Sequence, residues 1–537
     1  MNTIFGQFNR ETKELQLNND RYSYYEENEI ICSVYGDVWI ENVCNDYATI
    51  IKAYQDYGDD IVNCIEGLYY LVIYDKSANI LRIYQDYFTS AETLYYTILD
   101  EYLYFTNDMK QMISLPNMER SFNMRASVDF VRYGFVSGEE TLLQNIYKLA
   151  PFHMLFCEKE HIVQKRLDYR FDILGEEESA KKWVKDLNRA IRMNTPEKNP
   201  VTLPLSGGFD SNYIFNYYNR KEKNTRLFTV GGVDGIDETK MVKKIVNAYG
   251  SKRNELHLLY TTNDTLKYLP DIIWRLGGVV YQRGIFLQYE LAKELQRAGI
   301  TTLVCGECAD QIMHENFLQS GLLNGNPNYK GPENPYDFAA SIIIKKSAVM
   351  LNSFGVKGYY PYMNQRFMQT AMGLAKKNGI TKAFHCKMCN QILPDEVRRC
   401  LYKNGGATYM HALFATEEEK TLFVNVVENS PFYQELQIMK GVKKTKAEKI
   451  RHAVEKAKEY SKGFARRVKG TLGVQSIRTL TPKYIKMESR LRRDMGYFYL
   501  MIFRELFCSD RTYMYLQEGI DSFNVYDYLE ELSKKYL

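Results

Sequence analysis

The sequence predicts a mixed chain: an antiparallel β domain in front, a parallel α/β domain with helices behind it, and a helical extension at the end. Three observations predict it. Residues 1 to about 170 carry short β-rich runs separated by turn residues, and after Asp172 helical periodicity alternates with short buried strands. From about Thr416 onward the chain is charged, tyrosine-rich and helical in character. The corresponding segments are 1–170, 171–415 and 416–537.

The length of 537 residues exceeds what one core organises, while 45% hydrophobic and 25% charged residues describe an ordinary globular composition. The opening MNTIFGQFNR lacks the basic start, apolar run and small-residue cleavage site of a secretory signal. No uninterrupted apolar stretch is long enough to span a bilayer, so a cytoplasmic location is the expectation. Ten scattered cysteines suit a reducing compartment and free thiols rather than a disulfide scaffold. The net charge of +4 is unevenly spread: Lys440 to Asp494 holds 18 Lys or Arg against 5 Asp or Glu, leaving the remainder near −9.

In the front segment, Ile30 to Tyr35, Leu68 to Tyr74 and Leu81 to Tyr84 read as strands of an antiparallel sheet. In the middle segment, Ser179 to Met193 reads as a helix and Val201 to Leu205, Leu227 to Val230 and Thr301 to Val304 as strands. Strand, helix, strand order implies a parallel sheet with crossover helices. The run from Gly325 to Pro335 has loop composition, suited to a cover over a site. In the last segment, Gly470 to Gly473 and Pro482 are expected to interrupt the helices.

The strongest local signal is Leu205-Ser206-Gly207-Gly208-Phe209-Asp210-Ser211, placed after the strand Val201 to Leu205 and opening the helical run Asn212 to Arg220. Two glycines let the backbone approach an anion, Ser206 and Ser211 supply hydroxyls, and the helix that follows offers unpaired N–H groups. No lysine follows the second glycine, so this is not a Walker A loop.

The segment resembles the pyrophosphate loop of the N-type ATP pyrophosphatases, and beyond it the chain resembles the asparagine synthetase family. Leu227-Phe228-Thr229-Val230-Gly231 is similar to the strand at the family's adenine pocket, and Asp237-Glu238 opens a helix ending at Gly250. Thr302 to Asp310, with Cys305-Gly306-Glu307-Cys308-Ala309-Asp310, resembles the family's strand followed by Ser-Gly-Glu-Gly-Ala-Asp-Glu. Leu393-Pro394 and Lys403 resemble the Leu-Pro segment and the pyrophosphate lysine, offset by one residue, and Lys382 resembles a second lysine upstream. In front, Ala53 to Gly58, Glu66 to Tyr70, Thr93 to Tyr96 and Leu149-Ala150-Pro151 resemble landmarks of the family's amidotransferase domain, so the similarity covers about residues 1 to 415.

The resemblance implies an Ntn-hydrolase-like front domain, an ATP pyrophosphatase domain behind it, and ATP with Mg2+ as cofactors. It implies nucleotide contacts by Leu205, Ser206, Gly207, Gly208, Asp210, Ser211, Val230, Gly231, Cys305 and Gly306. Magnesium would lie on Asp210 and Asp310, and Lys403, Lys382 and Glu307 would be the catalytic candidates. Glu307 and Tyr281 are the two candidates for a general base.

The chain also departs from the pattern. A working glutaminase of this type carries a cysteine at position 2, and here stands Asn2; Gln85-Asp86-Tyr87 replaces an expected Arg-Asp-Arg. Gln311 replaces the acid after Asp310, and Gly277 to Arg283 lacks an acidic cluster. These departures imply an amide-bond-forming ligase that adenylates a carboxylate and passes it to an amine within a peptide or amino-acid-derived product, as β-lactam synthetases and lasso peptide cyclases do. An ammonia-dependent asparagine synthetase and a silent nucleotide- or peptide-binding scaffold are the alternatives.

The pairs Cys305/Cys308 and Cys386/Cys389, the second preceded by His385, fit buried free thiols better than a zinc ribbon. The basic tail fits solvated helix faces; were it to hold a partner, an acidic leader peptide suits ring closure better than nucleic acid.

Overall fold

The computed structural model describes the chain except residues 1–3, 18–23, 42, 87–92, 159–160, 169–174, 198, 232–237, 283, 314–338, 379–380, 401–409 and 440–481. The Gly325 to Pro335 run, Lys403, Gly470 to Gly473 and most of the basic tail lie outside the described residues.

The front segment folds into two antiparallel sheets, one of five strands and one of seven. The centre of the larger sheet is Glu66–Asp75, flanked by Ile30–Ile40 and Ile80–Gln85. Successive residues of a strand point to opposite faces, and here both faces are covered, which explains the unbroken apolar run from Leu68 to Tyr74. Tyr70, Val72 and Tyr74 meet Phe8, Leu103 and Phe105 of the smaller sheet, while Leu71 and Ile73 face the main core with Ile50 and Ile51 of the helix Tyr47–Tyr57.

The middle segment holds a three-stranded parallel sheet, Val201–Pro204, Thr225–Gly231 and Asn254–Tyr260, and a parallel pair, Thr302–Val304 with Lys357–Tyr359. Thr302–Val304 packs directly beside Val201–Pro204. Numbered along this segment, the strands therefore lie in the order 3-2-1-4-5, and the direction of winding reverses between the first and the fourth. In open parallel sheets ligands bind at the carboxyl ends of the two strands that flank such a reversal. The helix expected over Ser179 to Met193 runs Glu176–Met193, and its Arg189 guanidinium forks onto both carboxylate oxygens of Glu66 at 3.0 and 3.2 Å. Glu66 also accepts from Asn364 Nδ2 at 2.9 Å, so one front-domain carboxylate ties two elements of the middle segment.

The last segment departs from the expectation of solvated helices at its described positions. Pro482 marks a helix boundary, opening the helix Pro482–Cys508, because proline has no N–H to lose in a first helical turn. Leu491, Met495, Tyr497, Phe498 and Leu500 of this helix are buried. Its rings reach both earlier segments: Tyr499 packs on Phe130 and on Tyr281, and Phe503 on Phe122. Arg490 and Arg493 pair with Glu428, and Arg492 pairs with Glu488 at 2.9 Å. These cations of the basic stretch are thus occupied within the chain.

Candidate functional site

The turn after Val201–Pro204 is held from both sides. Leu205 N–H donates to Phe228 O at 2.8 Å, and Thr229 Oγ1 donates to Leu205 O at 2.7 Å, fixing the turn to the neighbouring strand. The helix that follows starts at Phe209, three residues earlier than the sequence suggested, so Asp210 and Ser211 sit in its first turn rather than in the loop. Glycine at 208 adopts extended backbone just before it, and an acidic residue in the first turn suits the positive end of the helix.

Within the turn, Ser206 Oγ and Ser211 Oγ lie 2.9 Å apart, Ser206 N–H donates to Ser211 Oγ at 3.1 Å, and Gly208 N–H donates to Ser206 Oγ at 3.2 Å. Asn212 Nδ2 closes the curve by donating to Ser206 O and Gly208 O, both at 2.8 Å. Asn212 is buried, and sequence inspection passed over it because an asparagine inside a helix carries no motif. Gly207 N–H donates to Glu238 Oε2 at 3.1 Å. A carboxylate oxygen thereby rests where an anion cradle presents its donor. Burial pushes the Glu238 carboxyl above its ordinary range, and the hydrogen bond from Gly207 only partly offsets this.

The second turn, Cys305 to Asp310, leaves the adjacent strand at the same end. Cys305 N–H donates to Tyr359 O at 2.8 Å. Gly306 approaches the first turn so closely that a Cβ there would lie 3.2 Å from Ser211 N. Cys308 has φ of +67°, the left-handed region that favours glycine. Glycine is what the resembling segment carries at that position, so the likeness extends to backbone conformation. Asp310 falls in the first turn of the helix Ala309–Met313. Asp210 and Asp310 both act electrostatically on the buried Tyr362 hydroxyl, which donates to Asp210 O at 3.0 Å. The structure therefore brings Leu205 to Ser211, Cys305, Gly306 and Asp310 together at the ends of two neighbouring strands, with Val230 and Gly231 at the end of the next strand.

The remaining candidates divide. Glu307 pairs with Lys346 Nζ at 3.2 Å, beside the second turn. Tyr281 lies elsewhere: its hydroxyl donates to Arg492 O and its ring packs on Tyr499, which removes it from the base role proposed for it. Lys382 belongs to the helix Thr381–Ile392, with its side chain outside the description, and Lys403 lies outside the described residues.

One partner of the site was missed. His385, fully buried, places Nε2 3.2 Å from Asp210 Oδ1, and the same nitrogen is 3.3 Å from Cys389 Sγ. Trp183, Tyr213 and Tyr362 surround the ring. The signal was the i, i+4 spacing of His385 and Cys389, which puts both on one helix face. Asp210 and Asp310 both act on Tyr362, and their carboxylates, with the hydroxyls of Ser206 and Ser211, are oxygen donors of the kind a hard cation takes. Burial pushes the Cys305 and Cys308 thiols well above the ordinary range. Cys32, Cys44, Cys64, Cys157, Cys305, Cys308 and Cys508 are in no disulfide.

Residues 182–325 match the asparagine synthase family and residues 42–168 the glutamine amidotransferase domain. A glutamine-hydrolysing asparagine synthetase of Bacillus subtilis is 22% identical over 56% of this chain and 47% of its own length. The asparagine synthetase B of Escherichia coli is 19% identical over 68% of this chain and 63% of its own. An amidase of Penicillium rubens, chyE, is 21% identical over 50% of this chain and 42% of its own. The chain thus spans roughly half the length of the curated relatives it matches.

Proposed function

The chain belongs to an asparagine synthetase-like family, and on that premise we propose that it is an ATP-dependent amide-forming ligase that adenylates a carboxylate with release of pyrophosphate. The observation that carries this reading is the meeting of two turns at the reversal of strand order, each opening a helix with an aspartate in its first turn. Backbone N–H groups and the hydroxyls of Ser206 and Ser211 would grip the β and γ phosphates, and main-chain groups of Val230, Gly231, Cys305 and Gly306 would border the nucleotide. Magnesium, held by Asp210 and Asp310, would neutralise the departing pyrophosphate. His385 would orient Asp210 through its Nε2 contact, and Lys403 and Lys382 would steady phosphate charge. Glu307, tied to Lys346, is the remaining candidate base for the attacking amine.

The acceptor amine we assign to a peptide or amino-acid-derived substrate, closing a lactam or macrolactam, because Gln311 follows Asp310 and Gly277 to Arg283 lacks an acidic cluster. The printed names of the Bacillus and Escherichia relatives favour a second reading, asparagine synthesis from free ammonia.

ATP–pyrophosphate exchange tests the proposal. Exchange dependent on a peptide carboxylate supports ring closure; exchange dependent on aspartate, with product formed only when ammonium is added, supports the second reading. The variants D210N and D310N are expected to lose at least about 100-fold in exchange while keeping their melting temperature, a loss of the size seen when a preorganised electrostatic group is removed. Full exchange in both variants would overturn the metal assignment, and no exchange with any acid would leave only a nucleotide-binding scaffold.

A further inference from the structure

A short chain of side chains leads from the front segment to the first site turn, and it begins at Glu66. This residue opens the central strand Glu66–Asp75 of the larger front sheet. The fork of Arg189 holds its carboxylate at 3.0 and 3.2 Å, and Asn364 Nδ2 donates to it at 2.9 Å. Asn364 is buried and directly follows the short helical turn Pro361–Met363. Its Oδ1 accepts Phe367 N–H at 3.2 Å and so caps the helix Gln365–Asn378. From the same short turn, the fully buried Tyr362 donates to Asp210 O at 3.0 Å, and its ring packs on Phe367 and on His385, the partner of Asp210.

The helix Glu176–Met193 supports the same turn from a second side. Arg189 answers Glu66, and its neighbour Asn188 accepts from the Tyr213 hydroxyl at 3.1 Å. Tyr213 belongs to the helix Phe209–Arg220, whose first turn carries Asp210. Without the Glu66 carboxylate, the half-buried Arg189 loses its fork partner and the buried Asn364 amide loses its acceptor. Buried donors left unmade are costly, and the short turn lowers that cost by moving. An anion cradle works through N–H groups fixed in advance, so movement of the turn beneath it reaches ligand affinity. A second ion pair between the segments, Lys357 Nζ with Asp37 Oδ2 at 2.6 Å, lies at the amino end of the strand Lys357–Tyr359, opposite the end where the site turns leave their strands.

We propose that Glu66 is a positioning residue for the nucleotide site: through Asn364 and Tyr362 the front segment fixes the place of Asp210, a role that rests on reading the first turn as a phosphate site. Glu66 touches no ligand in this role; it acts through the two side chains that follow it.

Calorimetry of pyrophosphate with magnesium on the full chain tests this, with thermal melting measured alongside. E66A and Y362F are each expected to weaken binding about ten-fold. Because both act along one chain, the double variant is expected to fall well short of the product of the two losses. E66Q keeps an oxygen for Asn364 and is expected to recover most of the affinity. N364S keeps an oxygen for the helix cap but gives up the donor to Glu66, and it is expected to lose as much as E66A. D37A is expected to bind as the parent does, whatever its effect on the melting temperature. Parental affinity in E66A, strictly multiplicative losses in the double variant, or an equal loss in D37A each overturns the proposal. Should E66A fail to fold, N364S takes its place in the comparison with Y362F. A parent that binds no pyrophosphate sinks the phosphate reading and the proposal with it, a result distinct from binding that E66A leaves intact.

Discussion

Glu238 and Gly207 illustrate how one residue is asked to serve two ends. The Glu238 carboxylate accepts the N–H that the turn would offer to a phosphate, yet it sits where burial disfavours its charge. Its folded pKa is raised above the ordinary value, so the folded state holds the proton more tightly than the unfolded chain. This group's contribution is therefore most favourable below the unfolded pKa and is lost as pH rises through the folded one. E238Q keeps an oxygen for Gly207 and removes the charge. It is expected to raise the melting temperature at pH 8 by roughly a degree or two and by less at pH 5, which paired thermal scans would check. With the carboxylate gone from the anion cradle, E238Q is also expected to bind pyrophosphate several-fold more tightly by calorimetry; weaker binding would show that Glu238 helps hold the ligand.

The two turns are the elements on which the site depends, and much of them was legible in the sequence. Ser206 to Ser211 announced itself by adjacent glycines between a strand and a helix, and the turn at Cys305 by its order after a buried strand. The helix start at Phe209 was not legible, because Phe209 and Asp210 carry loop character by composition and became helical only through docking. His385 escaped for a different reason: its partner Asp210 is 175 positions away, and only tertiary packing of the helix Thr381–Ile392 brings them together. The long apolar run at Leu68 to Tyr74 identified a strand, whereas the sheet that covers its second face had no local signature. At this scale Gly306 gives a clear test. G306A would push a methyl group to 3.2 Å from Ser211 N, where backbone cannot yield cheaply. A cost of about 1–3 kcal/mol in stability is expected from such overpacking, with weakened ATP binding; chemical denaturation and nucleotide titration measure the two separately.

Across the whole molecule one hydrophobic core runs from the larger front sheet through the parallel strands into the last helices. The composition shifts near residues 170 and 415 mark changes of architecture, not breaks in that core. The helix Pro482–Cys508 was the part least visible in the sequence, because its lysines and arginines concealed a buried face, and the carboxylates answering three of its arginines, Glu428 and Glu488, are no motif. A chain ending at residue 415 would expose Phe122, Phe130, Trp274 and Tyr281, which pack on rings of the last segment. Such a truncation is expected to be insoluble or to lack near-ultraviolet circular dichroism, and a soluble, cooperatively melting product would contradict the shared core.

The contacts of Tyr499 and Phe503 with Phe130 and Phe122 bear on how the chain can be dissected as well as on its stability. Because the terminal helix takes the front half as its packing partner, that half serves the fold whatever chemistry it carries. Excising it would strip those rings of their neighbours and leave a sticky apolar remnant.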